Sequence, residues 1–477
     1  MRYPFHVIIC LLTLISCIKK VDVSKSTLPN VVIVFTDDQG YQDLSIFGSP
    51  NIHTPHLDQM AKEGLKLTNF YAAQAVCSAS RAALLTGCYP NRIGISGALF
   101  PHHDVGINPK ETTLAEMLKA KGYNTGIFGK WHLGHHPKFL PTNHGFDEFI
   151  GIPYSNDMWP VDYDGNQVPP DHHLAKSYPQ LPFFKDFEVI KEIRTLEQQG
   201  QLTTELTEAA VDFIDRNKGN PFFLYVPHPM PHTPIAVSDK FKGKSEQGLY
   251  GDVIMEIDWS VGQILKKLKE HNLHENTLII FTSDNGPWLS FGNHAGSALP
   301  LREGKGTAWE GGQRVPGLFW GGSIKSGTIT DLGSTMDIFP TILDVAGIDI
   351  PNDRIFDGFS LKNTLINHDS SDRKSILFYR QREIYAARLN DYKAHFITQG
   401  AYEYNFSRYY NAKNYVDKNK KRVLNKPLLF NLSEDPSEKY NIADENPEII
   451  EKIKDLILKH NKDLDPPSDL LSIRSGN

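Results

Sequence analysis

Asn30-Val31-Val32-Ile33-Val34-Phe35 is a nearly unbroken apolar run that stops at Thr36-Asp37-Asp38. A short continuous run of β-branched and aromatic residues predicts a strand buried on both faces. Thr277 to Phe281 repeats this grammar and stops at Thr282-Ser283-Asp284-Asn285-Gly286. Pro221 to Val226 stops at Pro227-His228, and the shorter Thr125 to Phe128 stops at Gly129-Lys130-Trp131-His132. Helical spacing lies between these runs. Glu111 to Lys121 puts Leu114, Met117 and Leu118 on one face, and Thr203 to Lys218 does so with Leu206, Ala210, Phe213 and Ile214. Leu249 to His271 keeps Val253, Ile257, Val261, Ile264, Leu265 and Leu268 in register. Strands alternating with helices predict an α/β fold, with a large, mostly parallel (mixed) sheet sandwiched by helices.

After about Leu365 the pattern changes. Ser375 to Tyr379, Ile384 to Arg388 and Asp391 to Ile397 predict a short antiparallel sheet, and Asn446 to Lys462 an amphipathic helix. We therefore expect a main domain over 28–365 and a smaller C-terminal α+β domain over 366–477. The first 17 residues carry one early charge, Arg2, then a mostly apolar stretch ending Leu14-Ile15-Ser16-Cys17. It is too short for a membrane-spanning helix, which needs ~20 apolar residues. Leu three residues before Cys resembles a bacterial lipobox, with Cys17 lipidated and 18–27 a tether. An ordinary secretory signal cut near Ser16 is the other reading. Either way the chain is expected to be exported, to the periplasm or, as a lipoprotein, the outer membrane or cell surface of a bacterium.

Composition narrows the function classes. With 477 residues, 40% hydrophobic and 22% charged, the chain is ordinary globular protein of more than one domain. A net charge of −6 argues against a nucleic-acid partner. An anionic substrate would need a local cationic pocket. Four cysteines are too few for a disulfide framework. Cys77 and Cys88 are the two beyond the N-terminal segment, and pairing between them is open.

Ligands of open parallel sheets sit beyond the carboxyl ends of the strands, so four chemically rich strand ends should converge on one edge. Asp37, Asp38, Asp284 and Asn285 are hard oxygen donors suited to Ca²⁺ or Mg²⁺ rather than Zn²⁺. Helix capping and turn formation would use the same residue types. Cys77-Ser78-Ala79-Ser80-Arg81 precedes Ala82, Ala83, Leu84 and Leu85 and is closed by Gly87, which predicts a helix starting at Cys77. Its N–H groups would lower a thiol pKa and attract sulfate or phosphate. A structural thiol is equally served by that spacing. His132 and His232 are acid–base candidates, against the alternative of satisfied structural histidines. His228 and His232 have a zinc-like spacing of four, but Pro227, Pro229 and Pro231 exclude the helix it would need.

Cys77-x-Ala79-x-Arg81 followed by Leu85-Thr86-Gly87 resembles the signature of type I sulfatases, members of the alkaline phosphatase superfamily. The resemblance extends to NVVIVFTDDQG (30–40), GKWHLG (129–134), GIPYSND (151–157), TSDNG (282–286), GKGTAWEGG (304–312) and LFNLSEDPSEKYN (429–441). It is of the arylsulfatase and N-acetylgalactosamine-sulfatase type. It implies that Cys77 is oxidised to Cα-formylglycine, whose hydrate is the nucleophile. It implies one Ca²⁺, held by Asp37, Asp38, Asp284 and Asn285 and touching residue 77. Arg81 would steady that centre, and Lys130 and Lys305 would clamp the sulfate. Ser155 and His228 count with the substrate-binding residues. Asp284 would draw the proton from the attacking hydroxyl. His232, beside Lys305, would protonate the leaving alcohol, and His132 would take the last proton as sulfate leaves.

Two positions depart from the family pattern. Ala79 replaces a frequent Pro, which implies a radical-type maturation enzyme as partner. Cys88 replaces a frequent Arg and has no assigned role. The expected substrate is a sulfated polysaccharide or oligosaccharide such as carrageenan, ulvan or a glycosaminoglycan. Trp159, Tyr163, His172, His173, Phe183 and Phe184 are expected as subsite walls, with a self-packed loop as the alternative. Phosphomonoester, phosphodiester or phosphonate hydrolysis is the chemical alternative. A non-catalytic glycan-binding lipoprotein is the alternative of another class.

Overall fold

The computed structural model describes residues 28–162, 165–401 and 421–474. The expected export signal with Cys17, the expected tether and Tyr163 lie outside the described residues. No described helix is long and apolar enough to cross a membrane.

Ten strands form the main sheet: β1 (Asn30–Thr36), β2 (Leu65–Tyr71), β3 (Asn124–Lys130), β4 (Glu148–Ile152), β5 (Leu181–Lys185), β6 (Glu188–Ile193), β7 (Phe222–Pro227), β8 (Thr277–Ser283), β9 (Arg314–Trp320) and β10 (Gly327–Ser334). Their order is β10-β2-β9-β8-β1-β7-β3-β4-β5-β6. The four strands expected from sequence are the contiguous centre β8-β1-β7-β3, all parallel. β9 and β5 run against their neighbours, which makes the sheet mixed.

Every residue of β1 is buried, as its unbroken apolar run requires. Val32 and Val34 face one core layer, shared with helices Leu202–Asn217 and Gly248–Glu270. Val31, Ile33 and Phe35 face the other, with helices Cys77–Thr86, Leu114–Ala120 and Ile338–Val345. Helix Leu114–Ala120 starts three residues later than the periodicity suggests, because Thr113 and Glu116 form a capping box there.

A separate antiparallel sheet holds β11 (Ser375–Arg380), β12 (Glu383–Leu389), β13 (Tyr392–Thr398) and β14 (Arg422–Asn431), packed by helix Pro447–Lys462. β14 carries Asn425, Lys426 and Pro427, and this polar interruption explains why no strand is expected there. The small sheet grips the segment that carries Lys305. Arg380 donates to the Gly306 carbonyl, and Lys393 pairs with Glu310 at 2.9 Å and Glu438 at 3.1 Å.

Candidate active site

The parallel register sets the site. Thr36 of β1 lies opposite Ser283 of β8, so Asp37-Asp38 and Asp284-Asn285 leave the sheet side by side. The Asp284 amide donates to Thr36 at 3.0 Å, and the Asp38 amide to Asp284 Oδ1 at 3.1 Å. Lys130 is the last residue of β3 and His132 follows it, while β7 ends at Pro227 and feeds the loop carrying His232. Asp38 and His132 both hold positive φ, near 61°, a costly conformation for residues with a Cβ.

Helix Cys77–Thr86 points its first residue into this strand-end edge. It stops at Gly87, where φ is 69° and a Cβ would meet Phe339 at 3.1 Å. Arg81, one turn beyond Cys77, is fully buried. Its Nη2 donates to Asp37 Oδ2 at 3.1 Å and to Asp284 Oδ2 at 2.9 Å. Lys130 pairs with Asp37 and donates to Ser155 Oγ at 3.1 Å. Lys305 donates to Asp38 Oδ1 at 2.6 Å and lies 3.2 Å from Cys77 Sγ. Ser155 Oγ is also 3.4 Å from His232 Nε2. One narrow cavity is lined by Cys77, His132, Ser155, His232 and Lys305. A roomier hollow near Pro29 and Thr277 lies at the opposite end of the central strands and holds no such set.

Removing several charges from water at once costs several kcal/mol per ion unless they are paired. Asp37 shows the pairing. Burial opposes its ionisation, yet Lys130 and Arg81 hold its carboxyl well below the usual range. Asp38 shows the shortfall. Burial, reinforced by Asp37 and Asp284, pushes it up to about 7 in spite of Lys305. Burial and Asp37 also raise Asp284. Asp38 Oδ2 and Asn285 Oδ1 are buried with no hydrogen-bond partner. Ligand atoms of Asp37, Asp38, Cys77 and His232 lie within 4.8 Å of one another. Excess carboxylate with orphaned oxygens fits a hard divalent cation.

The histidines are set as neutral bases. Burial and Lys130 lower His132, and burial and Lys305 bring His232 down to about 3. His132 Nε2 sits 3.0 Å from the Leu99 carbonyl and must donate to it, leaving the buried Nδ1 as a lone pair with no partner. His232 Nδ1 donates to the Thr233 carbonyl at 2.6 Å, so Nε2 is its acceptor. The thiol departs from expectation. Burial and the Asp37 carboxylate push Cys77 well above the ordinary thiol value, outweighing Lys130 and Lys305. An unmodified Cys77 is thus a neutral thiol and a weak nucleophile.

His228 lies apart. Its Nε2 meets Ser260 on helix Gly248–Glu270 at 3.1 Å, and it does not line the cavity. Cys77 and Cys88 are both free thiols at opposite ends of one helix, so they do not pair. Trp159, Phe183 and Phe184 are buried in the hydrophobic core, which removes them as subsite walls. The aromatic lining comes instead from Trp288 and Phe100, beside Asp157 and Met158. Trp288 follows the TSDNG strand end by two residues, a proximity that marks it in sequence. Phe100 has no such signal.

The sulfatase family profile matches residues 29–348, and that for the C-terminal region of aryl-sulfatase matches residues 371–475. The chain belongs to the sulfatase family. N-acetylgalactosamine-6-sulfatase of Homo sapiens is 38% identical over 472 residues, covering 93% of this chain and 88% of its own. Arylsulfatase A of Bos taurus is 38% identical over 450 residues, covering 90% and 87%. Among solved structures, the PsFucS1 sulfatase from Pseudoalteromonas sp. matches with TM-score 0.82 at 29% identity, over 92% of both chains. Ps i-CgsB, solved in complex with k-i-k-neocarrahexaose, matches with TM-score 0.76 at 27% identity, over 93% of this chain and 94% of its own. The chain is accordingly a sulfatase, a hydrolase of sulfate esters. Sulfatases generally work with a formylglycine and a divalent metal, and this one has a residue set able to hold an ion.

Proposed function

We propose that this sulfatase removes sulfate from a sulfated carbohydrate, using a formylglycine made from Cys77 and one Ca²⁺ at Asp37, Asp38, Asp284 and Asn285. The observation that carries the reading is the position of Cys77. It stands at a helix start between Lys305 and Asp37, as a buried neutral thiol that is a weak nucleophile until it is converted. When present, the ion would polarise a sulfate oxygen, and the aldehyde would supply a gem-diol nucleophile.

The chain's own residues do the rest. Lys305 lines the cavity and Lys130 stands behind its Ser155 wall, and the two ammonium groups bind the sulfate oxygens. Asp284, raised by burial and fixed by Arg81, accepts the proton of the attacking hydroxyl at its carboxylate. His232 Nε2 faces the leaving oxygen. An anionic ester beside the ring opposes the effect of burial and favours the protonated form that donates. His132 Nδ1, held as a lone pair by Leu99, takes the final proton as sulfate leaves.

Processing of Ala79 by a radical-type enzyme, export, and anchoring through Cys17 belong to the same proposal, with carrageenan, ulvan or glycosaminoglycan fragments as candidate substrates. The phosphate-ester alternative is decided by turnover of a sulfate and a phosphate monoester of one alcohol. Faster sulfate release supports the reading, and faster phosphate release overturns it.

A further inference from the structure

The sulfate-handling residues leave part of the cavity over Cys77 without a role. Trp288 forms one wall of it. Its ring meets His232 edge-on with centroids 5.2 Å apart, and Lys305 Nζ stands 4.5 Å from the ring centre. Phe291 packs against the indole at 4.6 Å in a T-shaped pair, and both are buried, so the wall is rigid. Phe100 and Met158 line the same space. Asp157 brings a carboxyl to it, only 2% exposed and two residues beyond Ser155.

Lys305 stands between Cys77 and Trp288, and Lys130 is held against Asp37 and Ser155, so the sulfate binds on the Cys77 side of Lys305. What lies beyond the bridging oxygen therefore meets a fixed indole, apolar walls and one carboxyl. An indole beside a carboxyl is the chemistry that holds a sugar ring: C–H groups pack on the aromatic surface and a hydroxyl donates to the carboxylate. An aryl group would use the walls but offer nothing to Asp157. A uronate or second sulfate placed there would meet a like charge in a water-poor site. We infer that Trp288 and Asp157 form the leaving-group subsite, and that it takes a neutral sugar with a free hydroxyl neighbouring the sulfated position. This rests on the sulfate-ester reading above.

The test uses the mature full-length enzyme, 4-nitrophenyl sulfate, and a panel of monosulfated methyl galactosides and glucosides. The best sugar substrate is then compared with its analogue lacking the neighbouring hydroxyl and with a uronate counterpart. A hydrogen bond to a charged acceptor predicts that the wild type loses about 30-fold in kcat/KM on the deoxy analogue. D157N should flatten that discrimination to within about threefold, and D157E, which keeps the acceptor, should retain it. Equal discrimination by D157N and wild type overturns the inference, as does a wild-type preference for the uronate. Turnover of 4-nitrophenyl sulfate but of no sulfated sugar overturns it while leaving the sulfatase reading intact. Turnover of neither would remove the sulfatase reading itself.

Discussion

Lys305 Nζ lies 3.2 Å from the sulfur of Cys77, and through Lys305 that contact ties the site to the C-terminal sheet. Cys77 is placed by the central sheet and its helix. Lys305 is placed by a segment that the C-terminal sheet grips through Arg380 and Lys393. The small domain, none of whose described residues lines the cavity, thereby fixes Lys305.

Replacing either partner separates positioning from chemistry. C77A and C77S both remove the convertible thiol, and each should lower sulfate-ester kcat/KM by at least ~10³-fold with the fold intact. K305A should cost about 10²-fold to 10³-fold, the scale of losing one preorganised charge. Steady-state kinetics with matching circular dichroism spectra check both. Activity of C77S near wild type would contradict the assignment.

The orphaned Asp38 Oδ2 and the raised Asp38 carboxyl predict a strong response to metal. Chelation should lower activity and melting temperature together, and Ca²⁺ should restore both. At a hundredfold excess over Kd the ion should stabilise by about 2.7 kcal/mol. D38N removes a charge that burial opposes, so its ion-free form should melt no lower than wild type while losing most of the Ca²⁺ increment. Differential scanning calorimetry reads both quantities. A Ca²⁺ increment unchanged in D38N would contradict the site.

The interface between the two sheets predicts an acid limb. Glu310 is fully buried, yet Lys393, Arg314 and Arg388 overcome that burial and hold it at about 2, below the ordinary 4.5. Its folded pKa is depressed, so its contribution is complete above about pH 4.5 and disappears as pH falls toward 2. The full contribution is on the order of 3 kcal/mol. E310Q should melt lower than wild type at pH 7 and lose less stability between pH 5 and pH 3. Parallel acid limbs in the two proteins would place the sensitivity elsewhere.

Much of this was legible in the sequence because the central strands are buried on both faces. Their apolar runs are unbroken and end abruptly in polar residues, so Asp37, Asp284, Lys130 and the His232 loop could be placed on one edge. β5, β6 and β10 mix exposed and buried positions, β2 mixes buried with half-buried ones, and β14 is interrupted by Lys426 and Pro427. Such strands are stabilised by neighbours distant in sequence, and their own pattern says little. The cavity's outer wall was hidden for the same reason. Trp288, Phe100 and Asp157 come from three loops, whereas Trp159, Phe183 and Phe184 of the aromatic-rich insertion are consumed by the core, and His172 lies half-buried and His173 exposed. The Cys77 thiol lies above the value its helix end suggests because a helix end is visible in sequence and complete burial is not.

Mass spectrometry of the Cys77 peptide from enzyme made in a bacterium able to mature Ala-type sites tests the central claim most directly. The account predicts that residue 77 has lost its sulfur and two hydrogens and gained one oxygen, and that the converted fraction tracks sulfate-ester turnover across preparations. A fully active preparation whose Cys77 peptide carries only the unmodified thiol would contradict it.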